Sequence, residues 1–396
     1  MKPIGLKSFP LNSEKSRDQS ETGYYGYRHD DDSESSSCTS AKPKVHPRDW
    51  SMRRKVICII VCFQIAAIAI VLLWLILAYT VPRRHTPNTS ANAINSFIDN
   101  WSVPEDSTKL LSPWSAQFTT DIAPLPCHSH NDYERAVPLF EAIAAGCTSI
   151  EADIHMPKTK DGALRVGHKR KSLKSERTLQ SLYLSPLFTI LDTLNIPTKI
   201  NGNESWRGIF DSSQATSLVL LLDFKGDGAA LWPIVNSELQ SLRGKGWLTR
   251  WDSSAGMIRG PITVVATGNA PFDLLISHTA PRDIFYDAPL DDIANPRYDA
   301  TNSYYASVSM QKTIGKQWLW KFSTSQLDKM RAQMRAARDK GLVSRYWETP
   351  KWPVTFRDYV SGMLVENGIG VLNIDGFDSR LYFPLRTRFS QNRFRW

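Results

Sequence analysis

The sequence predicts an α/β fold, a (β/α)8 barrel of TIM type, on three observations. Eight short apolar runs alternate with longer helix-period segments from residue 115 to the C-terminus, which implies a parallel sheet. The run Leu218–Leu222 is apolar at every position, as a strand buried on both faces would be. Several runs also end in charged or polar residues two apart, and the C-terminal ends of barrel strands are where such folds place their sites. A doubly wound open sheet is the alternative architecture.

The eight predicted strands are Leu125–His130, Thr148–Ile154, Leu218–Lys225, Ile262–Thr267, Asp283–Ala288, Ser303–Ser309, Leu342–Trp347 and Gly370–Asp375. Between them lie helical patterns that stop on glycine. In TSQLDKMRAQMRAARDKG, Leu327, Met330, Met334 and Ala337 form one apolar stripe and Gly341 ends it. VPLFEAIAAG, LWPIVNSELQSLRGKG and WPVTFRDYVSGMLVENG follow the same rule.

Three unlike segments precede this domain. Residues 1–52 are rich in Ser, Asp and Lys, include DDDSESSS, and cannot bury a core, so a disordered tail is expected. Residues 56–81 contain no charge; as a helix rising about 1.5 Å per residue they are long enough to cross a bilayer. Their distance from the N-terminus and their length argue against a cleaved signal peptide. Residues 82–114 read as a linker or stalk. Lys42, Lys44, Arg48, Arg53, Arg54 and Lys55 precede the span and only Arg83 and Arg84 closely follow it. The positive-inside rule then predicts a cytoplasmic N-terminus and a lumenal or extracellular domain. Sequons at Asn88, Asn100 and Asn203 all follow the span, as glycosylation in that topology requires.

The formal charge of +9 comes with no zinc-finger, RRM or helix-turn-helix signature, so nucleic acid is not the expected partner. The juxtamembrane cluster fits an anionic membrane surface instead. Of five cysteines, only Cys127 and Cys147 belong to the folded domain. Neighbouring strands run about 5 Å apart, within reach of a bridge, but the stagger decides. A disulfide and two free thiols both remain open.

The chemistry gathers at strand ends. Residues i and i+2 share a face, so Asp223 and Lys225 emerge together, as do Glu151 and Asp153, and Asn373 and Asp375. One such pair is ordinarily a solvated strand face; three at the ends of buried strands indicate convergence. Glu151, Asp153 and Asp223 form an oxygen-rich set suited to Mg2+ or Ca2+. His128 and His130 alternate on the first strand without the spacing of a zinc site. His130 and His168 suit proton transfer, since free histidine titrates near neutral pH. His155 and His278 have no supporting context.

The order of His130, GCTSIEAD, Asp161-Gly162, VGH ending at His168, and the acidic-x-Lys strand of Asp223 and Lys225 resembles the phospholipase C-like phosphodiesterases. That superfamily includes glycerophosphodiester phosphodiesterases and spider-type sphingomyelinases D. HSHNDY, SLYLSPL, VVATGNAPFD, RDIFYDAPL, TNSYYASVS and GVLNID look closest to the fungal altered inheritance of mitochondria protein 6 family. The resemblance covers about Pro124 to Phe377. It implies that Glu151, Asp153 and Asp223 hold a divalent cation, that His130 and His168 are the acid/base pair, and that Lys225 holds phosphate. His128, Asn131, Lys225 and Asp375 are the expected substrate contacts. Both His128 and His130 stand where the first histidine belongs, and spacing to Glu151 favours His130. Two features of the glycerophosphodiesterases are missing: His-Arg-Gly is replaced by His130-Asn131-Asp132, and the downstream Pro-Glu-Asn-Thr is absent.

The expected function is therefore membrane-anchored, metal-dependent hydrolysis of a phosphodiester headgroup or lipid. A silent barrel that binds anionic phospholipid is the opposed reading, although a pure binder needs no paired acid and base. Glycoside hydrolysis by Glu151 and Asp223 would leave Lys225 and both histidines unexplained.

Overall fold

The computed structural model describes residues 47–84, 118–119, 122–157, 162–196, 206–277, 281–315, 317 and 321–377. Most of the expected tail and stalk, the three sequons, Asp161 and His278 lie outside the described residues. The apolar segment forms one helix, Pro47–Arg84, longer at both ends than the stretch expected to span. Within it Ser51–Ile76 is long and apolar enough to cross a membrane, and none of it is buried in the protein.

All eight predicted strands form. We label them β1 (Leu125–Ser129), β2 (Cys147–His155), β3 (Leu218–Lys225), β4 (Ile262–Gly268), β5 (Ile284–Pro289), β6 (Ser303–Ser309), β7 (Val343–Trp347) and β8 (Leu372–Ile374). Every neighbouring pair from β8 through β1 to β7 is parallel. The remaining seam, β7 to β8, is bridged by Val371 N–H donating to Ser344 O at 3.0 Å and Gly370 N–H donating to Ser344 Oγ at 3.0 Å. The result is a nearly closed eight-stranded barrel, and the open-sheet alternative falls away.

Side-chain alternation then explains the unbroken apolar run on β3. Leu220, Leu222 and Phe224 face out, with Ile150, Ala152 and Ile154 of β2 and Val264 and Ala266 of β4, into the core beneath the helices. Val219 and Leu221 face in, where they meet Val265, Tyr305 and Val371 in a separate cluster. Both faces are dry, so no polar alternation survives in the sequence. The helix Thr324–Asp339 buries Met330, Met334 and Ala337, the stripe its 3.6-residue period predicts. A capping box opens it, Ser323 Oγ accepting from Gln326 N–H while the Gln326 side chain accepts from Ser323 N–H.

Two elements were not foreseen. A two-residue strand, Arg165–Val166, pairs antiparallel with the end of β2 and turns the chain back over the barrel mouth. A hairpin, Arg250–Asp252 with Gly256–Ile258, precedes β4.

Of the two states left open for Cys127 and Cys147, the structure contains the disulfide, with Cα atoms 4.7 Å apart. An irregularity between Leu125 and His128 sets the stagger that brings them together. The bridge closes a segment of 20 residues, for which chain entropy gives a stabilisation of about 3 kcal/mol. Non-reducing peptide mapping should recover the linked peptides. The Cys127→Ala/Cys147→Ala double variant should lose stability of that order in chemical denaturation; two free thiols in the native protein would refute the bridge.

Candidate functional site

The barrel interior is apolar at its base and becomes polar toward the C-terminal ends of the strands. Register sets the top layer. Asp153 of β2 lies opposite Asp223 of β3, and the next inward pair is His155 with Lys225. Ligand oxygens of Glu151, Asp153 and Asp223 all fall within 4.8 Å of one another. Close approach at β4 depends on Gly268, whose φ is +68°; a Cβ there would lie 2.0 Å from Asp223 Oδ1.

Each carboxylate has a different environment. Glu151 is buried, and Oε2 accepts the Asn131 backbone N–H at 2.8 Å, with His128 Nε2 at 3.6 Å and His130 Nε2 at 3.7 Å. Burial opposes its ionisation, but the neighbouring His128 and His130 imidazoles and the Arg345 guanidinium outweigh it and hold its pKa below the usual range. Asp153 is 1% exposed and neither carboxylate oxygen makes a hydrogen bond; Lys225 Nζ lies 3.1 Å from Oδ2. Burial, with the charges of Glu151 and Asp223, pushes its pKa up to about 7. Asp223 accepts from Lys225 Nζ at 2.6 Å. Desolvation alone would lower the lysine pKa, yet Asp223 and Asp153 outweigh it and raise it.

The histidines part company. His130, at the end of β1, is hydrogen-bonded through Nδ1 to Asp375 Oδ1 at 2.5 Å. His168 is half exposed, with Nδ1 3.5 Å from Asp153 Oδ2 and 3.4 Å from the Tyr133 hydroxyl. His128 is fully buried behind Glu151, bonded through Nδ1 to Ser149 Oγ at 2.6 Å, and burial takes its pKa down to about 4. The expectation that His128 touches substrate therefore gives way: a neutral, solvent-free imidazole beneath a carboxylate can position that carboxylate only. Asp375 is engaged with His130, and Asn131 serves Glu151 through its backbone while its side-chain oxygen accepts the Tyr133 hydroxyl. His155 donates Nε2–H to Gly167 O at 2.7 Å, a backbone contact in keeping with its lack of sequence context.

Sequence reading missed the polar layer under the site. Arg345 of β7, 4% exposed, reaches Ser307 Oγ at 3.0 Å, Asn373 Oδ1 at 3.1 Å and Asp287 Oδ2 at 3.3 Å. Thr267 donates to the same Asp287 oxygen, and Tyr305 donates to Ser149. The only sequence signal was period-two placement on strands already identified. The replacement of His-Arg-Gly also finds its reason here. Asn131 takes a left-handed conformation (φ 51°), and buried Asp132 accepts from Ser129, Leu139 N–H and Tyr183, fastening the loop after β1. Arg135 donates to the carbonyls of Ile374 and Asp375, tying that loop to β8.

These orphaned oxygens and their hard, oxygen-only donor set fit a divalent cation coordinated by Glu151, Asp153 and Asp223. Gly268→Ala tests the packing. It should cost roughly 1–3 kcal/mol through strain at positive φ and displace Asp223, whereas Gly246→Ala, also at positive φ but with open space around it, should show strain alone. Equal melting temperatures for the wild type and Gly268→Ala would exclude the proposed close fit.

Residues 116–287 match the AIM6-like phosphodiesterase domain. Altered inheritance of mitochondria protein 6 homolog from Arthroderma benhamiae is 37% identical over 271 residues, 66% of this chain and 84% of that protein. Altered inheritance of mitochondria protein 6 from Saccharomyces cerevisiae is 33% identical over 283 residues, 66% of this chain and 71% of that protein. Among solved structures, a glycerophosphodiester phosphodiesterase from Parabacteroides distasonis aligns over 68% of this chain and 97% of its own, with 10% identity and a TM-score of 0.37, a likeness too slight to argue from. The sequence relatives decide the matter: this chain belongs to the altered inheritance of mitochondria protein 6 family.

Proposed function

We propose that the barrel is a metal-dependent phosphoric diester hydrolase whose acid/base pair is His130 and His168. The observation that carries this reading is a carboxylate triad, two of its members buried, with two histidines beside it, one of them held by a carboxylate of its own. Glu151, Asp153 and Asp223 would hold Mg2+ or Ca2+, which when bound supplies Lewis-acid polarisation of phosphoryl oxygens. Asp375 fixes His130 in the tautomer that donates Nδ1–H, leaving the Nε2 lone pair toward Glu151 as a base. Nε2 accepts a proton from the attacking water as the water oxygen forms the new P–O bond. His168, beside Asp153, delivers a proton to the leaving oxygen as the old P–O bond breaks. Lys225 holds the carboxylate pair and offers its ammonium to a phosphate oxygen. Substrate contact by Asn131 belongs to the same reading. Retention of the acid/base geometry favours turnover over a silent lipid-binding barrel.

With a panel of glycerophosphodiesters, lysophospholipids and phosphoinositides, His130→Ala and His168→Ala should each lower turnover by roughly 10²–10⁴-fold. Asp375→Asn should lower kcat while the fold persists, and His155→Ala should have little effect. Full activity in both histidine variants would remove the mechanism; lipid binding without turnover in the wild type would favour the silent reading.

The cation should be linked to pH through Asp153. Without it, this carboxyl is raised from 3.8 to about 7, so the folded state holds a proton the unfolded state lacks between those values. Stability from that proton is present at low pH and lost as pH rises through about 7. Cation binding must displace the proton, so affinity should fall as pH drops below about 7, with proton release visible by calorimetry in buffers of different ionisation enthalpy. EDTA should lower the melting temperature and Mg2+ or Ca2+ restore it, but not in Asp223→Asn. A melting temperature indifferent to both would rule the cation out.

We further propose a single-pass membrane protein with a cytoplasmic N-terminus and the barrel in a lumenal or extracellular space. The basic flank before the helix and a disulfide, which persists in oxidising compartments, support that side. Endoglycosidase treatment of native membranes should shift gel mobility through Asn88, Asn100 or Asn203. No shift, together with protease protection of residues 1–50 in sealed vesicles, would reverse the orientation.

A further inference from the structure

The rim of the barrel mouth is divided by charge. After His168 the chain reads Lys169-Arg170-Lys171-Ser172-Leu173-Lys174, with all four cations exposed and Glu176 the nearest carboxylate along the chain. This loop starts inside the site, since His168 Nδ1 lies 3.5 Å from Asp153 Oδ2. A second loop, after β7, is tied to the site from the other direction. Its Lys351 Nζ lies 3.4 Å from Asp375 Oδ1, the partner of His130, and the next residue, Trp352, is 52% exposed.

Around the barrel the order is β7, β8, β1, β2. The cationic loop and Trp352 therefore bracket the arc that carries His130 and Asp375. On the opposite arc, the segments that follow β3 and β5 present exposed Asp227, Asp291 and Asp292, while Asp273 after β4 is paired with Arg297 at 2.9 Å. Among the described residues the first arc also carries exposed Glu134, Glu176 and Glu348, but only its cationic loop gathers four cations in six residues.

We infer that this arc docks on anionic lipid in the leaflet on the barrel's own side of the membrane, so that the barrel takes its phosphodiester from a lipid in the membrane plane rather than from solution. The inference rests on the phosphodiesterase reading for what is delivered, but docking itself requires no turnover. Clustered Lys and Arg gain most from a negative lipid surface within a Debye length, and tryptophan settles at the headgroup level, ring toward the acyl chains and N–H toward water. The acidic arc is repelled by the same surface. Attraction on one arc and repulsion on the other fix a tilt that lowers His130 and His168 toward the headgroups. A polynucleotide would instead be met by aromatics interleaved with the cations along one groove; here the aromatic and the cationic loop stand on opposite flanks.

Full-length protein in micelles of a neutral detergent, mixed with phosphatidylserine or phosphatidylcholine and followed by amide hydrogen exchange, tests the docking. Exchange in 168–176 and 348–353 should slow by about tenfold or more with phosphatidylserine and remain unchanged with phosphatidylcholine. Lys169→Gln, Lys171→Gln and Lys174→Gln combined should demand on the order of 100-fold more phosphatidylserine for the same protection, with an unaltered melting temperature. Trp352→Ala should weaken protection of both segments. Lys329→Gln, on the exposed side of the helix Thr324–Asp339, should change nothing. His130→Ala should dock normally while losing turnover, so failure of the chemistry and failure of the docking are separable. Equal protection by the two lipids, or protection by a polynucleotide that matches phosphatidylserine, would overturn the inference.

Discussion

Three carboxylates drawn together inside a barrel mouth impose the constraint to which the rest of the site answers. Two such charges 4 Å apart repel by about 4 kcal/mol at an effective dielectric of about 20. The protein meets this from several directions at once. Lys225 sits against Asp223 and Asp153, the Asn131 amide and the His128 imidazole attend Glu151, and Arg345 lies in the layer beneath. The compensation is uneven. Glu151 is held ionised while Asp153, with two buried oxygens and no hydrogen bond, is left as the unsatisfied member. An unsatisfied buried carboxylate is costly for stability and useful for binding.

The polar layer below gives that arrangement its rigidity. Asp287, Arg345, Asn373 and Ser307 come from four strands, β5, β7, β8 and β6, and Arg345 ties its own strand to both neighbours and to β5. Tyr305 and Ser149 continue the chain of contacts to His128 and so to Glu151. Glu151 thus stands on a braced floor, whereas His168 stands on a loop that is half exposed. The two proposed proton carriers differ in support: His130 is held by Asp375 at 2.5 Å, and His168 is the more exposed of the two.

How much of this the sequence disclosed depended on the range of the interaction. Asp223 and Lys225, or Glu151 and Asp153, are two residues apart, and strand periodicity alone puts each pair on one face. Their convergence was legible because apolar runs such as Leu218–Leu222 marked the strands as buried and parallel. The His130–Asp375 bond joins residues 245 apart, and nothing local distinguishes Asp375 as an imidazole partner from Asp375 as a substrate contact. Arg345 was silent for a related cause: VSRYW reads as an ordinary strand with one surface cation, and only barrel closure reveals that its side chain points inward. His128 and His130 share a strand face, so only their spacing to Glu151 separated them in sequence; depth in the barrel supplies the physical difference.

The seam between the first and last strands carries an implication for biosynthesis. β8 is the final barrel strand along the chain, yet it lies beside β1, and its Asp375 holds the histidine that β1 contributes. Arg135 clasps the same strand through the Ile374 and Asp375 carbonyls. The strand that closes the barrel and the carboxylate that holds His130 are therefore made last and together, so closure of the fold and pairing of its first histidine depend on the same short segment.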